Sequence, residues 1–186
     1  MKKLALGVVG LLVSCGSMGG VKVDLSGLQV LDLSSQQVML NAVNAARATP
    51  RNCKNPGGGT TALPAAPAVQ LNSKLTLAAQ YHAQDMARNQ FLAHQGSKGD
   101  LTADRIRASG YGFAEAGENL SVVKTSTSLT LQKTVEASIQ EWLNSTNGHC
   151  QTLMDADFRE LGVGFAENAS STDRYYWVQV FGKPAN

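Results

Sequence analysis

The chain predicts an α+β fold in one domain, and three observations lead to this prediction. Four segments place apolar residues at helical spacing, three or so shorter segments have strand composition, and the helices and strands do not alternate regularly. A regular alternation would have favoured parallel βαβ units, so its absence favours an α+β sandwich. About 170 residues remain after the N-terminal segment, enough for one domain with a substantial core.

The first helix is predicted at residues 36–48, with Ser34 and Ser35 as suitable N-cap residues. It ends before Pro50, because a residue that precedes proline avoids helical dihedral angles. Residues 50–70 contain several prolines and three consecutive glycines, so we predict that they form one long loop.

The second helix begins at Asn72 or Ser73 as N-cap and ends near Phe91. Its inner face carries His82, and a histidine on an apolar face is more often a hydrogen-bonded core residue than a ligand. His94 follows the helix in a glycine-containing loop. A loop histidine is the better functional candidate.

A short helix comes next and ends at Gly110. Glu118 then stands between Gly117 and Asn119, before a short apolar run that could form a strand. This position also suits an ordinary solvated carboxylate. The last long helix is capped by Thr130, and we expect its buried stripe to comprise Leu131, Val135, Ile139 and Trp142.

After this helix a turn at Gly148 presents His149 and Cys150, and the chain then enters a strand. Two strand patterns close the chain, at residues 160–166 and 175–182. The polar loop between them predicts an antiparallel hairpin.

The N-terminus resembles an export signal. Lys2 and Lys3 precede an apolar run at residues 4–13, which is too short to cross a bilayer as a stable helix. Cys15 follows the small residue Ser14 at the end of this run, as in a bacterial lipobox, whose cysteine is lipidated. The alternative is an ordinary signal peptide cut nearby, with Cys15 incidental.

We therefore divide the chain into a lipoprotein signal peptide at 1–14, a lipidated N-terminus and tether at 15–33, and a folded domain at 34–186. Acyl chains on Cys15 would hold the domain on a membrane surface without a spanning helix. We expect an extracytoplasmic cell-envelope lipoprotein, or a secreted protein if the cysteine is not lipidated.

The charge of the mature chain argues against a nucleic-acid partner. The whole chain has 16 Lys and Arg against 14 Asp and Glu, and loss of Lys2 and Lys3 leaves 14 of each. No basic patch remains that would favour nucleic acid. We expect a monomer.

If Cys15 carries lipid, Cys53 and Cys150 remain in an oxidising compartment, where a pair of cysteines is most often a disulfide. This bridge would close a loop of nearly a hundred residues, which the chain-entropy model values at about 4–5 kcal/mol. The alternative is that Cys150 is a thiolate nucleophile or a metal ligand beside His149. We favour the disulfide, because an exported free thiol tends to oxidise.

Five segments follow one another along the chain in this order: LNAVNAAR, LAAQYHAQDMARNQFLAHQGS, GYGFAEAGENL, WLNSTNGHCQTLMDADFRELGVGFA and YYWVQVFG. Together they resemble the bacterial branch of the CAP superfamily, the SCP-like extracellular proteins. Relatives of that branch include the cysteine-rich secretory, antigen 5 and pathogenesis-related proteins. The resemblance covers roughly Ser34 to Gly182 and implies a three-layer α-β-α sandwich around a small antiparallel sheet.

The resemblance also implies a surface cleft lined by two histidines and two acids. By position, the histidines are His94 and His149, and one acid is Glu118. The position of the second acid holds Ser145, as is common in bacterial members, so three of the four residues are present. Ser145 and Asn119 are further candidates for the cleft.

Two imidazoles and a carboxylate can bind zinc or another divalent cation and leave a position open for water. We therefore predict a metal site at His94, His149 and Glu118. The alternative is that these three side chains hydrogen-bond across the cleft and hold its walls together.

For function, we favour a membrane-anchored binding module whose cleft takes a divalent metal, a lipid or a cell-envelope partner. The alternative is a hydrolase of peptide or ester bonds, either metal-dependent or with Ser145 as nucleophile, His149 as base and Glu118 as orienting group. No GxSxG elbow surrounds the serine, and the second acid is missing unless Glu115 or Asp85 replaces it. A structural envelope protein with a vestigial cleft is the third possibility.

Overall fold

The computed structural model describes residues 21–185. The predicted signal peptide and Cys15 lie outside the described residues. Five helices and six strands follow one another within the described part of the chain. They are α1 (Leu33–Arg47), β1 (Arg51–Lys54), β2 (Thr60–Leu63), β3 (Gln70–Leu71), α2 (Ser73–Asn89), α3 (Thr102–Ala108), β4 (Phe113–Lys124), α4 (Leu131–Asn144), α5 (His149–Met154), β5 (Glu160–Glu167) and β6 (Asp173–Pro184).

The main sheet has four strands in the order β3-β5-β6-β4. The long strand β6 pairs antiparallel with both β5 and β4, so the predicted terminal hairpin is confirmed. The two-residue strand β3 adds a short parallel pairing to β5, which the sequence did not predict. Strand β4 lies at the open edge of this sheet.

Side chains of β6 alternate between two helical layers. Trp177 and Phe181 pack in a core with α1, α4 and α5, whereas Tyr176, Val178 and Val180 pack with α2 and α3. This alternation is the period of two that a strand buried on both faces requires. The predicted three-layer α-β-α sandwich is therefore confirmed.

Two glycines of β5 set the distance between the sheet and α2. A β-carbon at Gly162 or Gly164 would overlap the backbone of α2 at Leu75 and Ala79. The helix therefore lies directly on the strand. This close packing fixes the position of α2 and of the loop that follows it, which carries His94.

Two of the predicted helix caps are confirmed and one is wrong. Asn72 accepts hydrogen bonds from the backbone N–H of Lys74 and Leu75, and Thr130 caps α4. The first helix begins earlier than predicted, because Asp32 accepts from the backbone N–H of Ser35 at 3.0 Å. The predicted caps Ser34 and Ser35 lie instead in the first turn.

The end of the expected tether contacts the folded domain, and the expected long loop contains strands. In residues 21–32, the carbonyl of Gln29 accepts a hydrogen bond from Gln84 of α2, and Leu31 packs against the core. The region 50–70 contains the antiparallel pair β1 and β2, turned by glycines with positive φ, and the start of β3. The interpretation of that region as one long loop was therefore wrong.

Within residues 21–185, no helix combines the length and the apolar character needed to cross a membrane.

Candidate functional site

His94 and His149 come together on the walls of one surface cavity beside the edge strand β4. The cavity has a volume of about 460 Å³. His94 comes from the loop after α2 and His149 from the start of α5. The residues that line the cavity are Leu92, Ala93, His94, Leu120, Glu141, Asn147 and His149.

His94 is held by a buried carboxylate. Its Nδ1 lies 2.8 Å from Oε1 of Glu118, whose side chain is 3% exposed, while the His94 side chain is 57% exposed. In the neutral tautomer that suits this contact, Nδ1–H donates to the carboxylate and Nε2 keeps its lone pair free. The carbonyl of His94 also accepts a hydrogen bond from Arg105 at 2.9 Å.

Glu118 belongs to a buried ionic cluster. Its carboxylate also accepts from Thr102 at 2.8 Å and from Arg105 at 2.9 Å, and Arg105 pairs with Asp100 at 2.8 Å. Burial alone would raise the pKa of Glu118, but the hydrogen bond from His94 and the charge of Arg105 outweigh burial and lower it. The carboxylate is thus ionised at neutral pH, and its oxygens are engaged by His94, Thr102 and Arg105.

A neutral residue holds the backbone of His149, and no charged partner holds its side chain within the described residues. Its carbonyl accepts a hydrogen bond from the buried Asn119 at 3.1 Å. Burial lowers the pKa of His149 below 6.5, and the nearby His94 lowers it further, so the imidazole is neutral at pH 7. Its Nδ1 is buried and has no hydrogen-bond partner within the described residues.

A disulfide fixes the residue after His149. Cys53 of β1 and Cys150 of α5 are bonded across 97 positions, with their Cα atoms 5.5 Å apart. The predicted disulfide is therefore confirmed. The alternative role of Cys150 as a thiolate nucleophile or metal ligand does not fit this structure.

Ser145 is not among the residues that line the cavity. It is the C-cap of α4, and its Oγ accepts a hydrogen bond from the backbone N–H of Asn147 at 3.0 Å. Glu118 binds His94 rather than His149. Within the described structure, the Ser145, His149 and Glu118 side chains therefore do not form a hydrogen-bonded triad.

The two acids considered as replacements for the second cleft acid also lie elsewhere. Asp85 accepts hydrogen bonds from the backbone N–H of Ser97 at 2.7 Å and from Asn89 at 2.8 Å, and it lines a separate polar cavity of about 410 Å³. Glu115 is exposed on β4, in register with Lys183. Neither lines the cavity between the histidines.

His82 is the core residue that the sequence predicted. It is fully buried in α2, and its Nε2 lies 2.8 Å from the carbonyl of Ala93. Burial lowers the pKa of this imidazole. His82 therefore supports the backbone beside His94 without lining the cavity.

Glu141, the acidic residue among the described residues that line the cavity, was not predicted from the sequence. It lies in α4, one helical turn before Ser145, and its Oε2 accepts a hydrogen bond from Ser121 at 2.6 Å. Residues four apart share a helix face, so Glu141 could have been found as an acid on the same face of α4 as Ser145.

The donor set at the cavity fits a metal ion only in part. Two imidazoles with available nitrogen atoms suit a zinc-like cation, and the unpartnered Nδ1 of His149 lacks the partner that a buried polar atom requires. Across residues 21–185, however, no three His, Cys, Asp or Glu side chains are already gathered as a metal site. Glu118 is engaged by His94, Thr102 and Arg105.

The chain is similar to proteins from several organisms. It is 28% identical over 113 residues to the uncharacterized protein YkwD of Bacillus subtilis (strain 168), a match that covers 61% of this chain but only 38% of that relative. An outer surface protein of Borrelia burgdorferi has a similar structure, with a TM-score of 0.59, 18% identity, and coverage of 84% of this chain and 98% of that one.

The structure of NaASP2 with Zn²⁺ is also similar, with a TM-score of 0.56, 17% identity, and coverage of 84% of this chain and 83% of that one. At these identities both structural likenesses bear on the fold alone. The model of the cysteine-rich secretory protein family (CAP) matches residues 40–181, most of the folded domain, and so the chain belongs to this family.

Proposed function

We propose that this protein is an extracytoplasmic CAP domain that binds a divalent cation between His94 and His149. The observation that carries the proposal is the hydrogen bond from His94 Nδ1 to the buried Glu118. A carboxylate behind a histidine fixes its tautomer and aims the other ring nitrogen outward, which is the usual support of a metal-binding imidazole. Glu118 is then the orienting group of His94 rather than a ligand.

His149 supplies the second nitrogen. Because burial keeps its pKa below 6.5, no proton has to be displaced from this ring at pH 7. The ion would leave coordination positions open to water or to a ligand. The solved structure of NaASP2 with Zn²⁺, which has the same fold, makes zinc the first ion to try.

The proposed location rests on the N-terminal sequence. The positive residues, the short apolar run and Cys15 indicate export followed by lipidation, so the domain would work at a membrane surface. The exposed apolar side chain of Leu92 on the cavity wall suits an apolar part of a lipid or envelope partner. We do not extend the proposal to a serine hydrolase, because Ser145 does not line the cavity.

A zinc titration by calorimetry at pH 7.5 and pH 5.5 tests the proposal. We expect binding at pH 7.5 and weaker binding at pH 5.5, since protonated imidazoles do not bind metal. His94→Ala and His149→Ala should each remove most of the zinc affinity. His82→Gln, which keeps a donor to the Ala93 carbonyl, should not change it. A heat of zinc binding that is unchanged in the His94→Ala variant would contradict the proposed site.

A further inference from the structure

Residues 21–32 lie against the folded domain as a strap beside α2. The carbonyl of Gln29 accepts a hydrogen bond from Gln84 of α2 at 3.1 Å, and Leu31 packs against the core. Residues of the strap and of α2 also line one cavity together. The strap therefore has a fixed inner side, and its other side chains face solvent.

The strap and the first residue of α1 carry exposed apolar side chains. Leu33 is 75% exposed and Val30 is 44% exposed, and Val21 is exposed as well. Five large apolar side chains are exposed among the described residues, and these three are the ones in residues 21–33. Single exposed apolar residues are common on protein surfaces, but a concentration of them marks a site of interaction.

Val30 and Leu33 belong to an apolar groove where the starts of α1 and α2 meet strand β3. The groove has a volume of about 560 Å³. Asp32 is the one charged residue among the described residues that line it, and its carboxylate is occupied by hydrogen bonds from Ser34 and Ser35. The apolar lining residues are Val30, Leu31, Leu33, Leu71 and Leu77.

We propose that the strap and this groove form the face of the domain that rests on a lipid bilayer, with Val30 and Leu33 inserted into its surface. This inference rests on the proposed function, because it requires the membrane location that Cys15 provides. Val21 follows Cys15 by six positions, which allows a reach of at most about 20 Å. Apolar side chains held this close to a bilayer enter the boundary between headgroups and acyl chains.

The proposed membrane face lies at the edge of the main sheet opposite to the cavity of the histidines. The groove includes Leu71 of β3, whereas the cavity includes Leu120 of β4, and these are the two outer strands of the sheet. Three strand spacings, about 14 Å, separate them. A domain that rests on its β3 edge turns His94 and His149 away from the bilayer, so that a partner can reach them from the surrounding space.

Tryptophan fluorescence in vesicles tests the membrane face. The full lipidated chain, Leu33→Trp and Ala137→Trp are reconstituted in vesicles of phosphatidylethanolamine and phosphatidylglycerol, with and without bromine on the acyl chains. Ala137 is the control, because it is exposed on α4, which packs in the layer on the other side of the sheet from α2. The native Trp142 and Trp177 are fully buried and give the same background in all three proteins.

We expect brominated lipid to remove most of the emission that Leu33→Trp adds, because bromine quenches only a tryptophan that reaches the acyl chains. The emission of Ala137→Trp and of the unmodified chain should not change. Equal thermal unfolding midpoints of the three proteins confirm that the substitutions leave the fold intact.

The other outcomes overturn the inference at different points. If the full chain does not float with the vesicles, the membrane location fails, and this inference fails with it. If the chain floats but Leu33→Trp is not quenched, the location stands and the membrane face is wrong. Equal quenching of both variants would mean that no one face meets the bilayer. A blue-shifted emission of Leu33→Trp without quenching would mean that a second copy of the chain covers the groove instead.

Discussion

The two walls of the cavity hold their histidines by different physical means. On one wall, His94 is fixed by Glu118, which belongs to a fully buried ionic cluster with Arg105. On the other wall, His149 precedes a disulfide-bonded cysteine, and its carbonyl is held by the neutral Asn119. One wall is therefore held by buried charges, while the other is held by a covalent bond and a neutral hydrogen bond.

This difference means that the two histidines should respond to different treatments. Acid or loss of a buried charge disturbs the wall of His94, because buried ions depend on their partners. Reduction disturbs the wall of His149, because the disulfide between Cys53 and Cys150 anchors α5 to β1. Changes to one wall should leave the support of the other wall in place. Variants of each wall test this separation, and they differ in the size of the expected effect.

The largest effect should come from Arg105→Ala. This change leaves Asp100 and Glu118 buried without their cation, which should lower the free energy of unfolding by about 3–5 kcal/mol. Urea unfolding at pH 7 measures it. Arg107→Ala is the matched control on the same helix, since that side chain is 67% exposed, and its effect should stay within about 0.5 kcal/mol. Equal effects of the two changes would contradict the electrostatic account of this wall.

Removal of the disulfide should have the next largest effect. The double variant Cys53→Ala and Cys150→Ala should lose about 2–4 kcal/mol of stability, because the unfolded chain is no longer cross-linked over a long loop. The same urea experiment measures this loss. A stability equal to that of the unmodified protein would show that the bridge does not support the wall of His149.

Glu118→Gln should cause a smaller loss that depends on pH. The folded pKa of Glu118 lies below its usual 4.5, so the ionised group stabilises the fold above about pH 4.5, and this contribution disappears as the pH falls through the folded pKa. At pH 7 the variant should be about 1–3 kcal/mol less stable, and between about pH 5 and pH 3 its stability should fall less than that of the unmodified protein. Unfolding followed from neutral to acid pH measures both effects.

The matched control for this prediction is Glu115→Gln, an exposed glutamate of the same strand. Its acid unfolding should follow that of the unmodified protein. Parallel curves for Glu118→Gln and the unmodified protein in this pH range would show that the buried carboxylate is not the acid-sensitive part of the wall.

The smallest effect should come from Ser145→Ala. The hydroxyl accepts one exposed hydrogen bond from Asn147 and does not line the cavity, so stability should change by no more than about 0.5 kcal/mol. Zinc affinity should remain unchanged in the same titration. A large loss of affinity would place Ser145 in the site.

The starts of two helices were predicted correctly because a single N-cap residue determines each of them. Asn72 and Thr130 begin helices as their side chains suggest. Asp32 was missed because Ser34 and Ser35 are equally good caps by type, and the packing of Leu31 against the core leaves no local signal in the sequence. The strands between 50 and 70 were missed because their glycines and prolines suggest loops even when a hairpin forms.

The histidines of the cavity were identified by their positions in the family pattern, but their supports were not. Arginine side chains are usually exposed, and the burial of Arg105 results from contacts with Asp100 and Glu118 that only the folded chain creates. Glu141 was overlooked because the pattern directs attention to Ser145. Side chains that contact one another only after folding leave no periodic pattern in the sequence of either of the segments that carry them.

The most direct test of the two-wall account is a double-mutant cycle of zinc affinity with His94→Ala, His149→Ala and both together. If the two walls present their imidazoles to one ion, each single change should remove most of the affinity, and the double variant should bind no more than about threefold more weakly than the weaker single variant. Losses that multiply, or a single variant that binds zinc like the unmodified protein, would show that the two histidines do not share an ion.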